Sequence, residues 1–573
     1  MKKTNKFFAL LIALFLISQS GMGQVVTYPD NWENQGITLQ SQTPSNVTVS
    51  FSIESFAFGD LNVQGENLKT ITLPGVFLPN DEGAPDLPGL SKYIAIPQGA
   101  DVHMRIVRTR TEVFQNIEIA PAPRIPLDTE DGPLTYKKNE QIYSADAFYP
   151  EQAILLSEKS KLRGLDVVML GITPFQYNPV TKELIVYRDV EVEIIFEGGN
   201  GHFGDDRLRS RWWDATIAQT VLNAASLPEI AYNERNNSGS RTPDYEYLII
   251  TLNDPDFLSW ADSIKSFRTL QGIKTGVVTL DDLGGNTESA IETYVDNAYN
   301  TWDVPPVAVL LLADYGTGSS GIISHMYNHP AGYPNFASDN KYADVDGDDL
   351  PDLAFARITA NNETQLEVMV SKFLDYERNP PSDANFYNHP ITALGWQTSR
   401  WFQVCSEVVG GYLSNALGKD PVRINAVYSG NPNSDPWSTA SNTSTVINYF
   451  GPSGLGYIPA TPQELGGFSG GTASDVINAI NNGSFMLQHR DHGGYSGWGE
   501  PAFSSSSINS LTNVDNKLPF IFSINCQTGA FHRSSECFSE KFHRHAYNGQ
   551  NSGALGIIAA TEVSYSFVND TYM

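Results

Sequence analysis

Along residues 25–200 apolar and polar positions alternate with a period of two, whereas from residue 245 onward short solid apolar runs are joined by segments of helical spacing. The alternation is clearest in Asn46-Val-Thr-Val-Ser-Phe-Ser-Ile53, Val102-His-Met-Arg-Ile106, Glu183-Leu-Ile-Val-Tyr187 and Val190-Glu-Val-Glu-Ile-Ile195. Side chains of a strand point to opposite faces in turn, so this pattern predicts half-buried strands. The Gly, Pro and Asp clusters between them predict an antiparallel β domain of sandwich type. Further on, Tyr247-Leu-Ile-Ile-Thr251 and Ile391–Gly395 read as strands and Val307–Ala313 as a fully buried one. Phe257, Trp260, Ala261, Ile264 and Phe267 recur at helical spacing until Gly272, and Leu366, Met369, Val370, Phe373 and Leu374 do the same. The second half is therefore expected to be a mainly parallel sheet covered by helices, and the chain multidomain.

The chemistry concentrates in residues 483–529. Two buried apolar runs, Phe485–Leu487 and Phe520–Ile524, each end in a reactive side chain: the first delivers His492-Gly493-Gly494, the second Cys526. Side chains at the carboxyl ends of neighbouring parallel strands face one crevice, so the thiol and the imidazole are expected to meet there. A neighbouring imidazole can take the thiol proton and leave a nucleophilic thiolate. Gly493, lacking a Cβ, lets its N–H approach a substrate carbonyl, and with the N–H of Cys526 it would form an oxyanion hole. The bland reading is a buried strand-end cysteine and a turn histidine; the matched strand–His-Gly and strand–Cys patterns favour the pair. Cys405 shares a helix face with Val408 and Tyr412 and reads as a core thiol, and His103 and His202 have no companions.

Composition and charge narrow the class. The 573 residues, 41% apolar and 17% charged, suffice for two or three domains. Three cysteines exclude a disulfide framework and leave at least one thiol free. A net charge of −28 argues against nucleic-acid or anionic-membrane binding. Lys2, Lys3 and Lys6 precede a short apolar run, Phe7–Ile17, followed by small and polar residues, so residues 1–23 read as a signal peptide. The protein is expected to be secreted or on the cell surface, with no transmembrane segment. Residues 24–200 then form the β domain, 201–241 a polar linker with Arg235 and Arg241 as exposed cut points, and 242–573 the α/β domain. Asp344, Asp346, Asp348 and Asp352 place carboxylates in a turn-prone stretch suited to calcium, although Asp349 and Phe355 stand where a complete EF-hand loop has Gly and Glu. His325 and His329 would make a metal pair on a helix, but Asn328 and Pro330 point to a loop.

These segments resemble the gingipain family of secreted cysteine peptidases. The resemblance rests on His492-Gly493, Leu518-Pro-Phe-Ile-Phe522, Asn525-Cys526, Cys537-Phe538 and Gly556-Ile-Ile-Ala-Ala-Thr561, and upstream on Asp339-Asn-Lys-Tyr342, Asp348-Asp349, Ala356-Arg357-Ile358 and Tyr376-Glu-Arg-Asn379. Gly83-Ala-Pro-Asp-Leu-Pro-Gly-Leu90 and Ile94-Ala-Ile-Pro-Gln-Gly99 are similar to that family's prodomain. The resemblance implies a caspase-like α/β fold, Cys526 as nucleophile, His492 as base, protein or peptide substrates, and an inhibitory prodomain removed by cleavage. Two positions depart from it. The carboxylate that backs the histidine is replaced by Gln397, with Asp435 and Asp491 as other possibilities, and an amide can still orient an imidazole. The acidic residue that selects Arg or Lys has no match, so basic specificity is not inherited; Tyr565 is expected to line the pocket. The chain stops at Met573, shortly after Ala554–Ala560, where a domain of this kind is expected to continue. Two other readings compete: a catalytically silent, calcium-binding exoprotein or adhesion module, and a metal hydrolase built on His489, Asp491 and His492.

Overall fold

The computed structural model describes residues 24–232, 244–427 and 431–572, so the expected signal peptide and the cut points Arg235 and Arg241 lie outside the described residues. The amino-terminal region is built from antiparallel sheets. Its largest places Glu183–Gly198 between Phe175–Asn178 and Asn46–Ser52, with Gly36–Gln42 beyond and the long strand Ala100–Gln115 also paired along Glu183–Gly198. The period-two residues do what alternation requires: Val47, Val49, Phe51, Leu184, Val186, Val192 and Ile194 turn into one core with Phe56, Phe58 and Phe175.

The carboxy-terminal region has the expected parallel pairing, divided between two sheets. The first runs Thr275–Thr279, Tyr247–Thr251, Ala308–Leu312, Ala354–Ile358; the second runs Val422–Asn425, Ile391–Leu394, Met486–Arg490, Phe520–Ile524, Gly556–Ala559. Local chemistry sets the covering helices. Pro255–Leu270 starts where the Asp254 carboxylate accepts from the Asp256 and Phe257 N–H groups, buries Phe257, Ala261, Ile264 and Phe267, and stops before Gly272, which has φ +77°. Glu363–Arg378 is capped by Asn362 and buries Leu366, Met369, Val370 and Leu374. Phe402–Asn415 buries Cys405 as expected, while Tyr412 is exposed. Arg544 ties the two sheets together, donating to Asp314 at 2.8 Å and, through Nε, to the Thr359 carbonyl at 2.9 Å.

In the second sheet the first strand in sequence, Ile391–Leu394, lies between the second and the third. The order therefore reverses between Ile391–Leu394 and Met486–Arg490, and a crevice opens outside the carboxyl ends at such a point.

The β domain is bound tightly to the α/β region. Arg163, 1% exposed, accepts φ +47° at a hairpin tip, where its N–H donates to Asp352 Oδ1 at 3.0 Å and its guanidinium to the carbonyls of Asp352 (2.8 Å) and Pro306 (2.9 Å). The stretch read as linker from residue 201 is packed as far as residue 227. Phe203, Ile217 and Val221 join the β-domain core, Leu208 joins the core of the first parallel sheet, and buried Asn223 bonds both the N–H and the carbonyl of Ala95. Among the described residues no helix is long and apolar enough to cross a membrane.

Candidate active site

Met486–Arg490 and Phe520–Ile524 pair in register, Arg490 beside Ile524, so the residues that follow them leave the sheet together. The approach is close: a Cβ on Gly493 would lie 2.6 Å from Asn525 Oδ1 and 2.9 Å from the Cys526 carbonyl oxygen. Glycine at 493 is thus fixed by the contact between the histidine-bearing and cysteine-bearing strand ends. Behind the thiol, a buried network holds the turn in place. Asn525 donates to Ser523 Oγ (2.9 Å) and to His489 Nδ1 (2.9 Å), Thr528 donates to Asn525 Oδ1 (2.7 Å), and Trp498 donates to Ser523 Oγ (2.8 Å).

His489 stacks on Trp498 at 4.1 Å and 6°, with its Nε2 facing the Glu500 carbonyl at 3.2 Å. Burial pushes its pKa down to about 3, so it is neutral, and both ring nitrogens are occupied. Asp491 is buried too; burial raises it to about 8, and one oxygen accepts the Glu500 N–H at 2.6 Å. These partners overturn the metal-hydrolase reading, because His489 has no lone pair left for an ion. Asp435, the other possible orienting carboxylate, instead accepts from the Asn431 N–H at 2.8 Å within its own turn.

His492 lies against the Phe402 ring, centroids 5.2 Å apart. Burial lowers its pKa, while Asp128 and Asp131 of the amino-terminal domain pull it up. Cys526 is 1% exposed, and its Sγ accepts the Ser564 N–H at 3.5 Å. Burial, and after it the Asp128 carboxylate, push the thiol up to about 11. Leu127 and Val563 close an apolar cluster over the sulfur, with Tyr333 and Tyr565 packed against it.

Leu127 and Asp128 belong to a strap from the β domain that the sequence did not reveal. It pairs antiparallel with the segment after the last sheet strand: the Asp128 N–H donates to the Ser564 carbonyl (2.9 Å), the Ser566 N–H donates to the Pro126 carbonyl (2.9 Å), and Leu127 faces Tyr565. The Asp128 carboxylate, fully enclosed, takes both arms of Arg490 (2.9 Å each), Ser566 Oγ (2.7 Å) and Asn569 Nδ2 (2.6 Å). Arg490 itself is held by Asp570 through Nε at 2.6 Å. Beyond Asp128, Thr129 meets the Tyr333 hydroxyl (3.1 Å), Arg400 donates to the carbonyls of Glu130 (2.6 Å) and Gly132 (2.8 Å), and Gln397 donates to Asp131. The amide read as orienting His492 is thus engaged by the strap, and Tyr565, read as pocket-lining, stands beside it. One signal was available: an arginine inside the buried run ending at Arg490 needs a carboxylate partner.

Away from the crevice, Asp344, Asp346 and Asp348 bring ligand oxygens within 4.8 Å of one another. Asp352 does not join them. Its oxygens accept from the Arg163 N–H, the Tyr299 hydroxyl and the Val345 N–H, so of the four expected ligands Asp352 stands outside the cluster. His325 and His329 form no metal pair either: His325 Nδ1 meets Glu288 at 2.7 Å, and His329 Nε2 meets the Val563 carbonyl at 2.8 Å.

The fold and this site define a class: an α/β domain with a thiol and an imidazole at adjoining strand ends, closed by a strap from a β domain. The chain belongs to peptidase family C25, whose description matches residues 240–573, and residues 31–203 match that of the C25 propeptide. It is 23% identical to Gingipain R1 of Porphyromonas gingivalis over 98% of this chain and 51% of that protein. To Lys-gingipain of the same organism it is 21% identical over 97% and 29%. The chain therefore spans about half, or less, of the length of these relatives. Among solved structures it is similar to the Arg-specific cysteine proteinase gingipain R, at 21% identity and TM-score 0.43, over 58% of this chain and 66% of that one. It is also similar to the complex of Porphyromonas gingivalis RgpB pro- and mature domains, at 22% identity and TM-score 0.31, over 34% and 98%.

Replacing Gly493 by alanine is expected to force the two strand ends apart, at a cost of about 1–3 kcal/mol as for other overpacked sites. Thermal denaturation checks this: the variant melts several degrees lower, and an unchanged melting temperature would mean that the close approach is not maintained.

Proposed function

We propose that this protein is the latent form of a secreted cysteine endopeptidase. The observation that carries the reading is the strap: an extended peptide lies paired with residues 564–566 directly over Cys526, in the manner in which a substrate would lie. In the active form His492 takes the Cys526 proton and the thiolate adds to the substrate carbonyl. The oxyanion is received by the N–H groups of Gly493 and Cys526. His492 then gives its proton to the departing amine, leaving a thioester that water hydrolyses to the acid, with return of the proton to sulfur. Gln397, once released from Asp131, is free to orient the imidazole. Cutting at Arg235 or Arg241 would let residues 24–241 leave; until then the tether keeps the strap at high effective concentration. Residues 1–23 support export. Incubating the full chain with trypsin should create a new terminus near residue 241 and switch on hydrolysis of peptides in wild type but not in Cys526→Ala. Nicked wild type that hydrolyses no peptide and is not alkylated at Cys526 would favour the silent exoprotein instead.

Asp344, Asp346 and Asp348 fit a calcium ion as oxygen ligands. Burial, followed by the neighbouring carboxylates, raises Asp346 to about 6, a repulsion that a bound cation would relieve. The role is structural, since the loop also grips the β domain through Asp348 and the Lys161 N–H. Calcium added after chelation should raise the melting temperature, because it binds only the folded loop; no change would remove the assignment.

A further inference from the structure

We propose that the pocket filled by Asp128 is the specificity pocket of the peptidase, and that the enzyme cuts on the carboxyl side of aspartate. The inference rests on the peptidase reading above and names its substrate. Everything that touches the Asp128 carboxylate is a donor: Oδ1 takes Arg490 Nη2 and Ser566 Oγ, and Oδ2 takes Arg490 Nη1 and Asn569 Nδ2, with Ser564 Oγ at 3.5 Å. The Asp570 carboxylate of the α/β domain is engaged by Arg490 Nε and, at 3.0 Å, by the Phe567 N–H. These donors belong to the α/β domain and persist when the strap departs.

Register puts this pocket beside the nucleophile. Asp128 is the strap residue whose N–H bonds the Ser564 carbonyl, and Ser564 is the residue whose N–H and hydroxyl (3.8 Å) reach Cys526 Sγ. A substrate paired in the same way presents the carbonyl of its aspartate to the thiol. The strap resists being cut because the chain turns immediately after this residue. The Glu130 N–H bonds the Leu127 carbonyl at 3.0 Å, and the Glu130 carboxylate takes the Leu127 N–H (3.0 Å) and Arg124 (2.8 Å), so the Asp128–Thr129 bond lies inside a closed turn.

Selectivity follows from the donor ring. Asparagine would set an NH2 against a guanidinium and other donors, glutamate is a methylene too long for a pocket that encloses Asp128 completely, and Arg or Lys would meet Arg490 with like charge. A site built to hydrogen-bond one group rejects an analogue lacking it by factors of up to about 10⁴–10⁵.

The test uses the full chain nicked in its linker and acetyl-Ile-Pro-Leu-X-aminomethylcoumarin substrates, with X as Asp, Asn, Glu, Leu, Arg or Lys. The Asp substrate should exceed the Asn substrate in kcat/KM by at least about 100-fold. Preference for any other residue overturns the pocket assignment while leaving the peptidase intact. If no substrate is turned over and Cys526 is not acylated, the peptidase reading fails, and the pocket is judged by binding. On the nicked Cys526→Ala chain, acetyl-Ile-Pro-Leu-Asp-amide should speed release of the amino-terminal domain and the Asn-amide should not; equal effects overturn the proposal. Asp128→Asn in the nicked chain should release the domain faster than wild type, and an unchanged rate counts equally against the pocket.

Discussion

The structure turns on a buried guanidinium. Arg490 lies at the end of a central strand, fully enclosed, and is kept charged by carboxylates on two sides, Asp570 from its own domain and Asp128 from the β domain. Leaving such a charge without partners costs several kcal/mol, so the pocket around it favours a carboxylate over an empty, half-wetted state. Asp570 is covalently part of the same domain and stays. Asp128 is reachable only because the strap crosses from the other domain, so the interdomain bond is strong and also exchangeable. Each feature of latency is anchored at that point: the β pairing with residues 564–566, the Leu127 cover, and the loop that occupies Gln397 and Arg400.

The electrostatics of the thiol follow from the same contact. Leu127 removes water from Cys526 and the Asp128 carboxylate opposes a second negative charge nearby, and both keep the sulfur protonated near neutral pH. Burial disfavours the imidazolium of His492 while Asp128 and Asp131 favour it, so withdrawal of the strap changes the proton affinity of both partners together. A nucleophile held as a thiol and a base whose charge depends on the covering segment fit the propeptide-bearing chain that the C25 propeptide match describes. Rotating one side chain would not relieve this state, because the strap is fastened on both sides of Asp128.

Much of this was legible in the sequence, because it was local. Period-two alternation placed Val47, Val49 and Phe51 in a sheet core; helical spacing placed Ala261, Ile264 and Phe267 under a helix; and the apolar runs ending near His492 and Cys526 proved to be neighbouring parallel strands. The role of Gly493 was readable as a close approach, though the clash it avoids is with Asn525 and the Cys526 carbonyl. What escaped the reading depends on contacts far apart in sequence. Asp128 and Arg490 are separated by 362 positions, and nothing in Pro-Leu-Asp-Thr shows that it covers a crevice. Asp352 looked like a fourth member of an acidic loop, but it is engaged by Arg163 and Tyr299, two residues remote from it. His489 could be read as a metal ligand beside His492 until the Asn525 and Glu500 contacts accounted for both of its nitrogens.

The most direct test of the account is the pH dependence of Cys526 alkylation by iodoacetamide in the uncut chain, wild type against Asp128→Ala, with modification read at that residue by peptide mass. If Asp128 holds the strap and opposes the thiolate, wild type labels slowly, with a midpoint near pH 11. The variant should label faster, with its midpoint shifted downward. Identical rates and midpoints in the two proteins would contradict the claim that this one carboxylate, seated on Arg490, keeps the thiol silent.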